Sequence, residues 1–185
     1  MDASKESEPQ LMDASKESEP QVARNRTTVE PKSDREIVVT RTFDAPARLV
    51  FQAWTTPELF RRWWIPKSMP VPLLSYEADI RAGGSYRLVF GHDAAQPMAF
   101  FGTYLEVTPH SRLVWTNDEA GDDGAVTTVT LEEKGGKTLQ VLHELFRSKQ
   151  ARDAALASGA YSGMGETFEQ LDELLVTLGT TARAS

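Results

Sequence analysis

Three histidines and no cysteine bound the chemistry open to this chain. Without cysteine there is no disulfide and no thiolate nucleophile, and a reducing compartment, the cytoplasm, is the expected setting. His92 and His110 fall between strand-like stretches and read as surface residues in turns. His143 lies within a strand-like run, and by alternation it shares a face with Leu139, Val141 and Leu145. That face reads as apolar and concave. His143 there is either a hydrogen-bonded core histidine or a polar anchor and proton donor inside a cavity. Glu144 points to the opposite face, so the two form no dyad. No second histidine stands at ligand spacing, and no metal or other cofactor is expected. Glu77 and Asp79 share a face beside Arg81. Paired carboxylates can do acid–base work when burial separates their pKa values, but with Arg81 and Arg87 close by the pair reads as a solvated ion-pair cluster.

The aromatic residues carry more information than the titratable ones. Rings suit the walls of an apolar site because they offer large flat area, and tyrosine and tryptophan add a hydrogen bond. Most fill the core; the candidates for contact with a ligand are Trp63, Trp64, Tyr86, Phe101, Trp115, His143, Met164 and Phe168. Two strings mislead. Gly83-Gly84 and Gly135-Gly136 sit between strand patterns and open no helix, so neither is a phosphate loop. Ser162-Gly163-Met164-Gly165 is fed by no strand and is no nucleophile elbow.

The elements that must position these residues follow from periodicity. Arg35 to Phe43 alternates as a strand. Two short helical stretches follow, one after Pro46 and one opened by Thr56-Pro57-Glu58, the second stopping near Pro66. Strand patterns then run over Leu74 to Arg81, Ser85 to Phe90, Met98 to Val107, Arg112 to Asn117, Ala125 to Glu133 and Lys137 to Phe146. Ser148 caps a short helix that ends at Gly159. A longer helix from about Tyr161 to Leu178 keeps Met164, Phe168, Leu171, Leu174, Leu175 and Leu178 on one face, and Gly179 ends it. An α+β helix-grip arrangement satisfies all the apolar faces: a curved antiparallel sheet of about seven strands around a long C-terminal helix. Sheet and helix can splay apart at one end, which is where a cavity belongs.

The folded domain is placed at residues 35–179, between a disordered tail, 1–34, and a disordered C-terminus, 180–185. In the tail MDASKESEPQ occurs at residues 1–10 and again at 12–21. Units so poor in apolar residues cannot stack into a core, so the repeat reads as a short tandem duplication with Met12 an alternative start. The net charge of -7 disfavours nucleic acid and anionic membranes as partners. No apolar run approaches the roughly 20 residues that span a bilayer, and the N-terminus lacks the apolar core of a signal peptide.

The stretch FDAPARLVFQAWTTPELFRRWW resembles the opening of the heat-shock-protein ATPase activator-like family, within the START-like or polyketide cyclase (SRPBCC) superfamily. ADIRAGGSYRL, GTYLEVTPHSRLVWT, GGKTLQVLHELF and ARDAALASGAYSGMGETFEQLDELL continue the resemblance in order, over about Arg35 to Leu178. It implies the helix-grip fold known from the birch pollen allergen. Many family members carry Trp early in the last helix, where this chain has Met164. Chaperone regulation is not carried over, because the eukaryotic activators resemble this chain only in their second domain. The expected function is non-catalytic binding of a small hydrophobic molecule, as carrier or sensor, by a monomer or homodimer. The alternatives are a cyclase- or hydrolase-type enzyme acting on a polyketide-like or aromatic substrate, and a protein-interaction or chaperone-associated module.

Overall fold

The computed structural model describes residues 26–69, 71–93 and 95–183. Strict alternation makes Glu36–Phe43 a strand whose every second side chain, from Ile37 to Phe43, is buried. It is β2, because a further strand, β1 (Thr28–Ser33), precedes it and pairs antiparallel to it. The chain then forms α1 (Ala47–Thr55) and α2 (Pro57–Trp63). Six strands follow: β3 (Leu73–Ala78), β4 (Ser85–Phe90), β5 (Met98–Thr108), β6 (Arg112–Thr116), β7 (Val126–Lys134) and β8 (Lys137–Leu145). Two helices close the chain, α3 (Lys149–Ala157) and α4 (Met164–Arg183). All strands pair antiparallel in the order β1-β2-β8-β7-β6-β5-β4-β3. This is the helix-grip fold.

The sheet has eight strands, one more than periodicity suggested, and the folded part begins before residue 35. Polar β1 has little to bury and shows no hydrophobic alternation. It is held as an edge strand by its ladder to β2 and leaves most of its side chains in water. The repeat itself lies outside the described residues. At the other end α4 runs past Gly179 to Arg183. Thr180 and Thr181 donate their hydroxyls back to the carbonyls of Val176 and Thr177, so the glycine is passed rather than used as a stop. Ser148 caps α3 as its residue type suggests, accepting from the Ala151 amide at 3.0 Å.

α4 grips the sheet at one side only. Phe168 is buried edge-on against Phe43 of β2 at 5.8 Å between ring centroids. One turn on, Asp172 accepts from Arg41 of β2. Gln170 reaches the other way, donating to the carbonyls of Trp63 and Ile65 at the end of α2. These contacts pin α4 to β2, α1 and α2, while β3 to β6 curve away from it.

Candidate functional site

The space left between the start of α4 and strands β3 to β6 is a cavity of about 530 Å³, within the range of small-molecule sites. Its floor is aromatic. Tyr76 of β3, Tyr86 of β4 and Tyr104 of β5 share the concave face, with Phe100 and Trp115 beside them. They do so because the registers set Tyr86 opposite Gly102 and Tyr76 opposite Leu88. Gly102 is required there: a Cβ on it would lie 1.8 Å from the Thr116 carbonyl oxygen. The back wall is Trp54, Phe60 and Trp64, with Trp64 stacked on Phe60 at 5.0 Å. The roof is the segment between α3 and α4, Ser158 to Gly163, followed by Met164.

The polar groups of the walls are few and mostly committed. The Tyr86 hydroxyl donates to the Thr116 carbonyl at 2.8 Å and also lies 3.3 Å from Asn117 Oδ1. The Asn117 amide donates to the Ala125 carbonyl and the Thr127 hydroxyl. Burial pushes the phenols of Tyr76, Tyr86 and Tyr104 above the ordinary tyrosine range, so they keep their protons. Glu166 is the one charged side chain among the lining residues. It sits at the mouth, where its carboxylate accepts from the backbone amide and hydroxyl of Ser68. These bonds hold its carboxyl below the ordinary range. Among the described residues no group of three or more His, Asp or Glu is placed to hold a metal ion.

Of the residues singled out from the sequence, Trp64, Tyr86, Trp115 and Met164 line this cavity together, and four others do not. Trp63 is fully buried between Trp54 and Phe168, with its indole nitrogen donating to the Ala53 carbonyl at 3.0 Å, so it braces α2 instead. Phe168 is likewise wholly enclosed, packed on Phe43. Phe101 points to the outer face, where Arg87 lies over its ring at 5.7 Å, and its neighbour Phe100 faces the cavity.

His143 is the largest departure. It lies on the outer face of β8, paired with Glu36 at 2.7 Å, along with half-exposed Leu139 and Leu145. The inward residues of β8 are Thr138, Gln140, Leu142 and Glu144. Three of these are polar and the side chain of each has a partner, although among the described residues the Gln140 amide nitrogen is buried without one. Thr138 donates to the Ala45 carbonyl, Gln140 accepts from the Trp54 indole at 2.7 Å, and Glu144 accepts from Tyr161 and Thr127. Hydrophobicity therefore chose the wrong side of this strand.

The sequence pattern of the family described as Activator of Hsp90 ATPase homolog 1-like protein matches residues 44–176. The chain belongs to this family. Solved structures agree in fold. A protein from Nitrosomonas europaea is 25% identical, with a TM-score of 0.70, over 81% of this chain and 99% of that one. One from Rhodobacter sphaeroides is 23% identical, with a TM-score of 0.74, over 82% and 99%. One from Staphylococcus epidermidis is 29% identical, with a TM-score of 0.64, over 81% and 94%. No protein of curated function matches the chain. No described helix is long and apolar enough to cross a membrane.

Proposed function

We propose that the protein binds a flat, neutral, apolar small molecule in this cavity and acts as a non-catalytic carrier or sensor in the cytoplasm. The observation that carries this reading is the lining: aromatic and aliphatic side chains on every wall, with a single carboxylate tied down at the mouth. Burying a flat ring against such walls gains about 25 cal/mol per Å² of apolar area. Burying a phosphate away from water would need positive charge to pair with it, and the lining includes no lysine, arginine or histidine while Glu166 stands at the start of α4. The non-catalytic part is supported by the same groups. The tyrosines hold their protons tightly and Glu166 is locked to Ser68, so no pair of lining groups is poised to give and take a proton near neutral pH.

Trp54, Trp64 and Trp115 report occupancy directly, because all three line the space. Titration with an anthraquinone or flavone dye should quench tryptophan fluorescence saturably, with affinity on the order of micromolar. Nucleotides and sugar phosphates should leave it unchanged. Saturable quenching by a phosphorylated metabolite, with none by the dyes, would reject the reading.

A further inference from the structure

The polar end of the cavity lies where Tyr86 of β4 meets Asn117, just beyond β6, and both residues line the space. The direction of each hydrogen bond there is fixed by chemistry. The Ala125 carbonyl can only accept, so the Asn117 side-chain nitrogen must face it, at 3.0 Å. The second amide proton goes to the Thr127 hydroxyl at 2.8 Å, which in turn donates to Glu144. Both amide protons are thereby spent, and the amide oxygen is left on the side of Tyr86. The Tyr86 hydroxyl has one proton for two acceptors. The Thr116 carbonyl takes it at 2.8 Å, whereas Asn117 Oδ1 stands 3.3 Å away, beyond the usual range of a hydroxyl bond. Among the described residues this end of the cavity therefore has more acceptors than protons. An amide that gives both its protons away also accepts more strongly through its oxygen. Burial is the main force that raises the Tyr86 phenol, and the nearby Glu119, Asp118 and Glu144 add to it, so the local field is negative and favours an incoming proton.

We infer that Asn117 Oδ1 is the polar anchor of the cavity and selects flat aromatic alcohols by accepting the hydroxyl proton of the ligand. The inference rests on the ligand-binding reading above and narrows it from apolar molecules in general to those with a hydroxyl at one end. Tyr86 is a positioning residue: it holds the carbonyl of Thr116, the residue from which the chain passes to Asn117. A methyl ether of the same shape fills the same space and brings no proton. A ketone brings one more acceptor to an end already short of donors.

The probes are 2-naphthol, which is neutral at neutral pH, and its methyl ether, which keeps the rings and the oxygen and lacks the proton. Their dissociation constants are measured by equilibrium dialysis on the wild type, on Asn117→Leu, which keeps the shape of the side chain and removes the acceptor, and on Tyr86→Phe, which keeps the amide. The expected result is a loss of about fivefold to tenfold for naphthol in Asn117→Leu, with the ether unchanged, and a naphthol preference retained in Tyr86→Phe. The ether also serves as the folding control. The wild type alone gives a second measurement. A cavity without an acceptor would rank the two probes as cyclohexane does, because a buried hydroxyl without a partner is penalised. The wild type should instead favour naphthol by about tenfold more than the cyclohexane–water partition ratio does. A ratio that matches cyclohexane, equal losses for both probes in Asn117→Leu, or a naphthol preference lost in Tyr86→Phe overturns the inference and leaves the ligand-binding reading standing. If the wild type takes up neither probe nor dye, both fall.

Discussion

Glu144 shows how one residue's neighbours set its behaviour. It lies on the inner face of β8 and accepts from Tyr161 of the roof segment and from Thr127 of β7. Burial raises its carboxyl above the ordinary range, outweighing the lowering by those two bonds. The folded state therefore holds this proton more tightly than the unfolded state does. The stability it contributes is complete below the ordinary carboxylate value of 4.5 and is lost as pH rises through the raised one. Hydrogen bonds shift the carboxyls of Glu36, Glu106, Asp153 and Glu166 the other way, so the comparison must be made against a variant. Glu144→Gln should gain melting temperature relative to wild type as pH is raised from 4 to neutrality; parallel melting curves across that range would show that the carboxyl is not buried. A second contrast lies in two adjacent tryptophans. Trp63→Ala should cost about 3–5 kcal/mol in denaturant unfolding, because it empties a fully buried site. Trp64→Ala should cost about 1 kcal/mol and weaken dye binding, since Trp64 is only partly buried and lines the cavity.

At the scale of elements, the decisive contact is between α4 and β2. Arg41 is 5% exposed, sits over the Phe43 ring and bonds to Asp172 and to the Thr27 hydroxyl. Burial still raises the Asp172 carboxyl despite the guanidinium beside it, so desolvation offsets much of the attraction. The pair is costly to break all the same, because the arginine would remain buried alone. Asp172→Ala should destabilise by about 3–5 kcal/mol, while Asp172→Asn, which still offers an acceptor, should lose clearly less. Urea unfolding of the two variants checks the order; equal losses would assign the effect to helix packing rather than to the ion pair. Alternation puts Arg41 on the inward face of β2 with Ile37, Val39 and Phe43, but its partner lies 131 residues further on, so the pairing is decided only when α4 is laid over the sheet.

For the whole molecule, the boundary of the fold can be tested by truncation. The first 25 residues are polar and repetitive, and removing them should change stability by no more than about 0.5 kcal/mol. Removing residues 1–33 takes away β1, its ladder to β2 and the Thr27 bond to Arg41. Each lost bond counts for about 1 kcal/mol, so the melting temperature should drop visibly. Equal melting of the two truncated chains would mean that β1 adds nothing. The repeating patterns of β2 to β8, the two short helices, the capped α3 and the apolar stripe of α4 were all readable from local spacing, and with them the helix-grip fold. Local spacing records which residues can share a face. It does not record which of two faces is inside, nor whether a polar run will find an edge to pair with. Phe101 and His143 were set inward by hydrophobicity, and the sheet placed both outward. The inward side of β8 is lined instead by threonine, glutamine and glutamate, whose partners come from α1, the roof segment and β7. Those partners are remote in sequence, so only the folded chain decides which of these polar groups go inside. The same holds for the cavity: its tyrosine floor is built from three strands whose registers, not their compositions, set the rings on one face.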